Sequence, residues 1–411
     1  MWDGFLRDLY KGNYGLSDPF AAMGYRADYP NNYGNCGYCH APGAVVDAEQ
    51  EVDMLPLFNT YQGSKTEGIN CDVCHKVSGV ELDRQGLPFQ DRPGILSYKL
   101  LQPEPQNTRM YLGSYTNPNL GEGAHTVSCA PIFSQSEFCA PCHYAKFWDV
   151  EIYASYKEWK ESAYAEPSLD GYRTCQDCHM TPGGMDPEYK SSKDDLCRGS
   201  IDGTWPSTHN MIGRDSENTP AMIKEAALVE VEAGYDKKNN RLRVNVTVTN
   251  DKVGHKFPTD SPMRHLILVV EAKDSRGISL PQIGGETIPE WIGEWWNPSE
   301  NYAGAPGKVF AYLLMDEVTG AVPSVAYWNP INPASNLSDT RLLPNSYNKD
   351  KKKVEAHPDK SVYYFGEPAN GTVTVTVKLW YRYAFKELAE QKNWTTEDIL
   401  VRQESVEVQP P

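Results

Sequence analysis

The chain has 411 residues, with 39 Lys+Arg against 55 Asp+Glu and a net charge of -16. That length accommodates two to three domains of ordinary size, and so acidic a balance argues against nucleic acid and anionic lipid as partners. Apolar runs such as Leu266 to Val270 and Val309 to Met315 are far too short to span a bilayer.

The opening residues, Met1-Trp2-Asp3-Gly4-Phe5-Leu6, have no basic stretch leading into an apolar one. They do not read as a signal peptide, and the numbered chain is expected to be a mature, exported form. Next come four copies of one pattern: Cys36-Gly37-Tyr38-Cys39-His40, Cys71-Asp72-Val73-Cys74-His75, Cys139-Ala140-Pro141-Cys142-His143 and Cys175-Gln176-Asp177-Cys178-His179. Random placement of ten Cys and nine His would yield about 0.005 such motifs per chain. The spacing has a chemical reason. Two thiols three residues apart can each form a thioether to one vinyl group of a single haem, and the next imidazole then meets the iron as proximal ligand. Zinc held by Cys36/Cys39 with Cys71/Cys74 is the plainer alternative, but it gives no reason for a histidine after every second cysteine. A redox dithiol would not recur four times.

Five histidines remain after the four proximal ones: His125, His209, His255, His265 and His357. Four irons need four distal ligands, so the supply suffices; His125, His209, His255 and His265 are the expected set, and which of His255, His265 and His357 is the spare stays open. Met180 follows His179 directly and cannot reach the opposite face of the same haem. Met222 and Met263 sit in apolar stretches and read as packing. Bis-histidine irons have no open position, so electron transfer without catalytic residues is expected. The alternative is an oxidoreductase acting on a small nitrogen or sulfur compound at an open haem.

Residues 1–218 are otherwise irregular and rich in Tyr, Gly and Pro. The clearest periodic stretch is Val150 to Ala165, where Tyr153, Tyr156, Trp159 and Ala163 recur at helical spacing before Pro167. Residues 219–411 change character. Val229 and Val231 alternate with Glu230 and Glu232, the turn Lys237-Lys238-Asn239-Asn240 follows, and Leu242, Val244, Val246 and Val248 alternate with polar residues, which is a hairpin pattern. Strands are also predicted at His265 to Lys273, Val309 to Met315 and Thr372 to Tyr383. The Trp-rich segment Pro281 to Lys308 reads as a long loop, and Lys349, Lys351, Lys352 and Lys353 as a solvated one. The expected fold is a mixed, mostly irregular and helical tetrahaem domain (1–218) followed by an antiparallel β-sandwich-like domain (219–411) that contributes distal ligands.

The run Glu158-Trp159-Lys160-Glu161-Ser162, leading to Cys175-Gln176-Asp177-Cys178-His179-Met180, resembles a segment of exported multihaem cytochromes c. So do Thr208-His209-Asn210-Met211-Ile212-Gly213 and Gly254-His255-Lys256-Phe257-Pro258-Thr259-Asp260. The resemblance implies distal ligation by His209 and His255. Met211-Ile212 and Asp260 depart from the family pattern, which has glycine at the position of Asp260. Four haems and one C-terminal β-domain resemble most the extracellular tetrahaem cytochromes that polymerise into electron-conducting filaments. That implies an extracellular or cell-surface location. It also implies a head-to-tail homopolymer, and redox proteins or extracellular acceptors as further partners.

Cys129 and Cys197 stand in no haem motif. In an oxidising compartment they are expected to form a disulfide, stabilising the fold by about 4 kcal/mol in the chain-entropy account. Asn245, Asn336, Asn370 and Asn393 each begin a glycosylation sequon, all in the C-terminal half.

Overall fold

The computed structural model describes residues 4–12, 24–48, 51–59, 68–101, 110–115, 126–180, 197, 209, 211, 219–224, 226–293, 301–333, 339–366, 371–395 and 397–409. His125, Asn336 and Asn370 lie outside them. The chain forms two compact units, Met1–Thr219 and Pro220–Pro411.

The first unit is a set of short elements. Its helices are α1 (Gly4–Lys11), α2 (Tyr25–Asp28), α3 (Cys36–His40), α4 (Pro42–Ala48), α5 (Cys71–Cys74), α6 (Ser155–Lys160) and α7 (Cys175–His179). Three two-stranded ribbons accompany them: β1 (Val77–Val80) with β2 (Tyr98–Leu100), β3 (Met110–Gly113) with β4 (Thr126–Cys129), and β5 (Ala145–Phe147) with β6 (Val150–Tyr153). The β3–β4 pair is parallel, with Gly113 opposite Cys129. Val150 to Ala165 is not one helix. Its first four residues pair with β5, α6 covers only Ser155–Lys160, and a 3₁₀ turn takes Ala163–Ala165. The stripe still has a use, because Tyr156 and Trp159 pack on Ala140 and Tyr144 beside the third Cys-x-x-Cys-His motif. The small protein cores, such as Tyr10, Ala41, Ala44 and Met54 around α1 and α4, are separate from one another.

Helix α8 (Thr219–Lys224) leads into the second unit. Its strands are β7 (Ala227–Asp236), β8 (Arg241–Asn250), β9 (His265–Lys273), β10 (Gln282–Gly284), β11 (Gly307–Phe310), β12 (Leu314–Asp316), β13 (Ile331–Pro333), β14 (Ser346–Asn348), β15 (Lys353–Glu355), β16 (Asp359–Phe365), β17 (Val373–Arg382) and β18 (Ile399–Val408). They make two four-stranded antiparallel sheets, ordered β10-β16-β8-β7 and β11-β9-β17-β18, with two small ribbons beside them. Alternation builds the core: Val244, Val246 and Val248 of β8 point in, as do Val373, Val375, Val377 and Leu379 of β17. β9 is buried on both faces, which is why it reads as a continuous apolar run. Ile288 and Ile292 cover Ile267 and Val269, so part of the Pro281–Lys308 segment is a packed cover rather than an open loop. Lys351, Lys352 and Lys353 are exposed at a tight turn, as a solvated cluster requires. Helix α9 (Lys386–Lys392) ends at Asn393, an exposed residue in the left-handed conformation. Asn245 lies instead in mid-strand with its carboxamide oxygen buried.

Among the described residues no helix is long and apolar enough to cross a membrane.

Candidate functional site

The four motifs sit on single helical turns, because a turn puts residues i, i+3 and i+4 on one face. Three are short helices: α3, α5 with His75 as its cap, and α7. The third is a turn in which the His143 amide donates to the Cys139 and Ala140 carbonyls. Local sequence nucleates these turns. Asn70 accepts from the Val73 amide. Thr174 and Asp177 form a reciprocal capping box, so a residue between the cysteines of the fourth motif caps its own turn. All eight motif cysteines are free of disulfides. Cys129 and Cys197 are joined, as the sequence predicts.

The motifs are packed against each other. Cys39 Sγ lies 4.0 Å from Pro141 O between the cysteines of the third motif, and the Cys175 amide donates to Ser136 Oγ, three residues before Cys139, at 3.0 Å. Gly94 is the close-packing point. Its amide donates to Pro141 O at 3.0 Å. A Cβ there would lie 2.3 Å from Tyr38 O and 2.8 Å from Cys39 Sγ, at a φ of +56°. Only glycine suits that position, and nothing in the sequence marks it. Burial, and then the charge of nearby His143, lower the His40 pKa to about 4, leaving a neutral imidazole able to ligate a metal.

The second motif shows how such a ligand is aimed. His75 Nδ1 donates to Leu112 O at 2.7 Å, and the Leu112 amide donates back to His75 O at 2.7 Å. A ring that donates from Nδ1 keeps the Nε2 lone pair for a metal. Phe133 stacks on the ring at 5.5 Å. The ring of His209 also lies close, with centroids 6.1 Å apart and planes inclined by 54°. Two imidazoles on opposite sides of one iron, each bonded at about 2 Å, would have centroids about 6 Å apart. The centroid separation of His75 and His209 matches that spacing. No three His, Cys, Asp or Glu side chains gather as a bare metal ion would need among the described residues.

In the second unit the candidates differ in setting. His255 Nδ1 bonds Lys256 O at 2.9 Å, and Asn250 Nδ2 donates to His255 O at 2.8 Å. Asp260 takes φ +57°, a left-handed conformation that glycine would adopt without strain. His265 opens β9 and is fully enclosed. It stacks on Phe385 at 5.3 Å, meets Trp291 edge-on, and bonds Met263 O through Nδ1 at 3.0 Å. Its Nε2 is buried without a hydrogen-bond partner among the described residues. Burial, with the Arg382 charge second, lowers its pKa to about 3. His357 Nε2 is engaged by Ser346 Oγ at 2.8 Å. Sequence reasoning missed the Arg382–Asp398 pair beside this group, bidentate at 2.8 and 2.7 Å and with both side chains fully buried.

No family model matches the sequence, and neither does any curated protein. Among solved structures the chain is similar to a penta-heme cytochrome c552 from Thermochromatium tepidum. The TM-score is 0.58 at 21% identity, over 98% of this chain and 95% of that chain. At that identity the likeness is one of fold, and it extends over both units.

Proposed function

We propose that the chain is a multihaem c-type cytochrome that transfers electrons. Four Cys-x-x-Cys-His motifs on helical turns support this, and so does a fold like that of a penta-heme cytochrome. The observation that carries it is the approach of His75 and His209, ring centroids 6.1 Å apart. Thioethers would form at Cys36, Cys39, Cys71, Cys74, Cys139, Cys142, Cys175 and Cys178, with His40, His75, His143 and His179 as proximal ligands. His125, His209, His255 and His265 are the proposed distal ligands. Haem supplies one-electron chemistry when bound. The chain's own part is to aim the imidazoles, as Leu112 O does for His75.

With every iron capped on both sides the protein relays electrons and is not an enzyme. Four haem motifs followed by one β-unit support a finer reading, in which it is an extracellular subunit of a head-to-tail filament. The test is spectroscopic. A haem assay should count four per chain, the spectrum should be wholly low-spin, and the ferrous protein should bind little carbon monoxide. An open, high-spin haem would shift the reading to a reductase of small nitrogen or sulfur compounds. A chain without a Soret band would end both. Electron microscopy of secreted material tests the filament.

A further inference from the structure

We propose that the outer face of the β10-β16-β8-β7 sheet binds a free α-amino acid, with its carboxylate on Arg243 and its ammonium on Glu232.

The starting point is a glycine inside a strand. Glycine weakens a strand, and where one occurs there it serves a bulge, a bend, or the close approach of a backbone or a ligand. Gly234 lies within β7, whose register against β8 runs unbroken from Ala227/Asn250 to Asp236/Arg241, so there is no bulge. Its φ is not in the left-handed region. A Cβ at Gly234 would meet nothing within 4 Å, so no described backbone approaches it. What remains beside Gly234 is open space.

That space is a cavity of about 550 Å³. Strand alternation turns Gly234 and Glu232 of β7, with Arg241, Arg243 and Asn245 of β8, away from the valine core. Gly234 stands opposite Arg243, Glu232 stands opposite Asn245, and Tyr364 of β16 flanks Arg243 on its other side. All of them line the cavity, and Asp236 closes one end. Part of the lining is fixed. Arg241 Nε donates to Asp236 Oδ2 at 3.0 Å, and the Arg241 guanidinium lies 3.7 Å from the Tyr364 ring centroid. Arg243 and Glu232 are different. They are exposed side chains of opposite charge at diagonal positions, yet they pair neither with each other nor with another described residue. Asn245 Oδ1, beside them, is buried without a hydrogen-bond partner.

Charge selects the ligand. The lining carries two cations, Arg241 and Arg243, and two anions, Glu232 and Asp236, so its net charge is zero. A simple ion of either sign gains little overall from such a site. A zwitterion gains at both ends. Arg243 offers a carboxylate its fork of donors, while Glu232 and Asn245 Oδ1 accept from an ammonium. Donor and acceptors are two residues apart along β8, about 6.8 Å, which is the scale of one small molecule. Gly234 leaves the sheet bare where the ligand's Cα would rest, and the Arg241–Tyr364 stack walls the space for its side chain.

The experiment is isothermal titration of the full-length protein with L-alanine, L-glutamine and L-phenylalanine. At least one should bind at a single site. Its N-acetyl and amide forms, each lacking one charge, should bind about tenfold to hundredfold more weakly. The same loss is expected for the unmodified amino acid with Arg243→Met and with Glu232→Gln. Gly234→Val fills the floor of the cavity with a side chain that suits a strand, so it should abolish binding while the melting temperature holds or rises. Absence of binding by all three amino acids at millimolar concentration overturns the proposal. So does an N-acetyl or amide form that binds as well as its parent, or a Gly234→Val protein that binds normally. If Gly234→Val does not fold, the Arg243 and Glu232 variants decide, because they break no polar contact within the described chain.

Discussion

Replacing Gly94 by alanine tests whether the first and third motifs depend on one close approach. The substitution places a Cβ 2.3 Å from the Tyr38 carbonyl and 2.8 Å from Cys39 Sγ. The first neighbour is backbone of a motif turn and the second is a proposed thioether sulfur, so neither can swing aside as a flexible side chain could. The φ of +56° adds its own cost of about 1–2 kcal/mol for a residue with a Cβ. Relieving the overlap means shifting packed backbone, at about 1–3 kcal/mol. The expected total is about 2–5 kcal/mol, or a melting shift of about 4–20 °C for a unit of this size. Gly86→Ala is the control. It has a similar φ of +73°, but its nearest neighbour is the mobile tip of Lys160 at 2.9 Å, so it reports the conformational cost nearly alone. Thermal unfolding followed by far-UV circular dichroism compares the two, and intact mass reports haem loading. If Gly94→Ala melts within about 1 °C of Gly86→Ala, the close approach contributes nothing and the reasoning fails.

Two further predictions concern the second unit. Asp398→Ala strands the buried Arg382 guanidinium and should cost about 3–5 kcal/mol in urea unfolding, whereas Arg382→Met/Asp398→Leu together should be close to neutral; a single-variant cost below about 1 kcal/mol would count against a buried pair. Burial alone would raise the Asp339 pKa, but Arg341 and Lys256 outweigh it and hold the carboxyl at about 2. A depressed folded-state pKa gives stability that is present above the unfolded value of about 4 and lost as pH falls toward 2. Asp339→Asn should therefore be less stable than the parent by about 2 kcal/mol at pH 6, and the gap should close near pH 2; a gap independent of pH would show that the carboxylate charge is not its source.

Some of this architecture can be read from the sequence because single residues report their own surroundings. β7 and β8 alternate because one face is buried, and β9 does not because both are. β16 and β18 escape such a reading for different reasons. β16 begins Asp359-Lys360-Ser361, so its inward positions open on a hydroxyl. β18 is an edge strand whose Arg402, Gln403 and Glu404 break the alternation. Tyr153, Tyr156 and Trp159 keep a helical period although the first lies in a strand, because aromatics suit both backbones. At the site, the motif cysteines and the histidines that follow them are legible because the haem attachment proposed for them would fix their spacing. Gly94 and the His75/His209 pairing are not, since each depends on a contact between segments far apart in the chain.

The distribution of histidines carries the assembly question to its last step. The first unit holds four motif histidines plus His125 and His209, six imidazoles for eight axial positions. If all four irons are bis-histidine, two distal ligands must come from His255, His265 and His357. They come from the same chain or from a neighbour, and only a heterologous contact repeats without closing. Alanine at each of the three positions separates the cases. Removal of a ligand should leave one five-coordinate haem in an otherwise low-spin protein, and removal of the spare should leave none. Dilution then decides whose ligand it is. A bond within the chain gives a spin state independent of protein concentration. A bond between chains gives a high-spin fraction that grows as subunits separate, and its variant should be monomeric. His265→Ala carries a second signature, because it also empties a site enclosed by Phe385 and Trp291 and should cost stability whether or not it ligates. If all three variants keep four low-spin haems at every concentration, the ligands lie elsewhere and the argument from histidine supply is refuted.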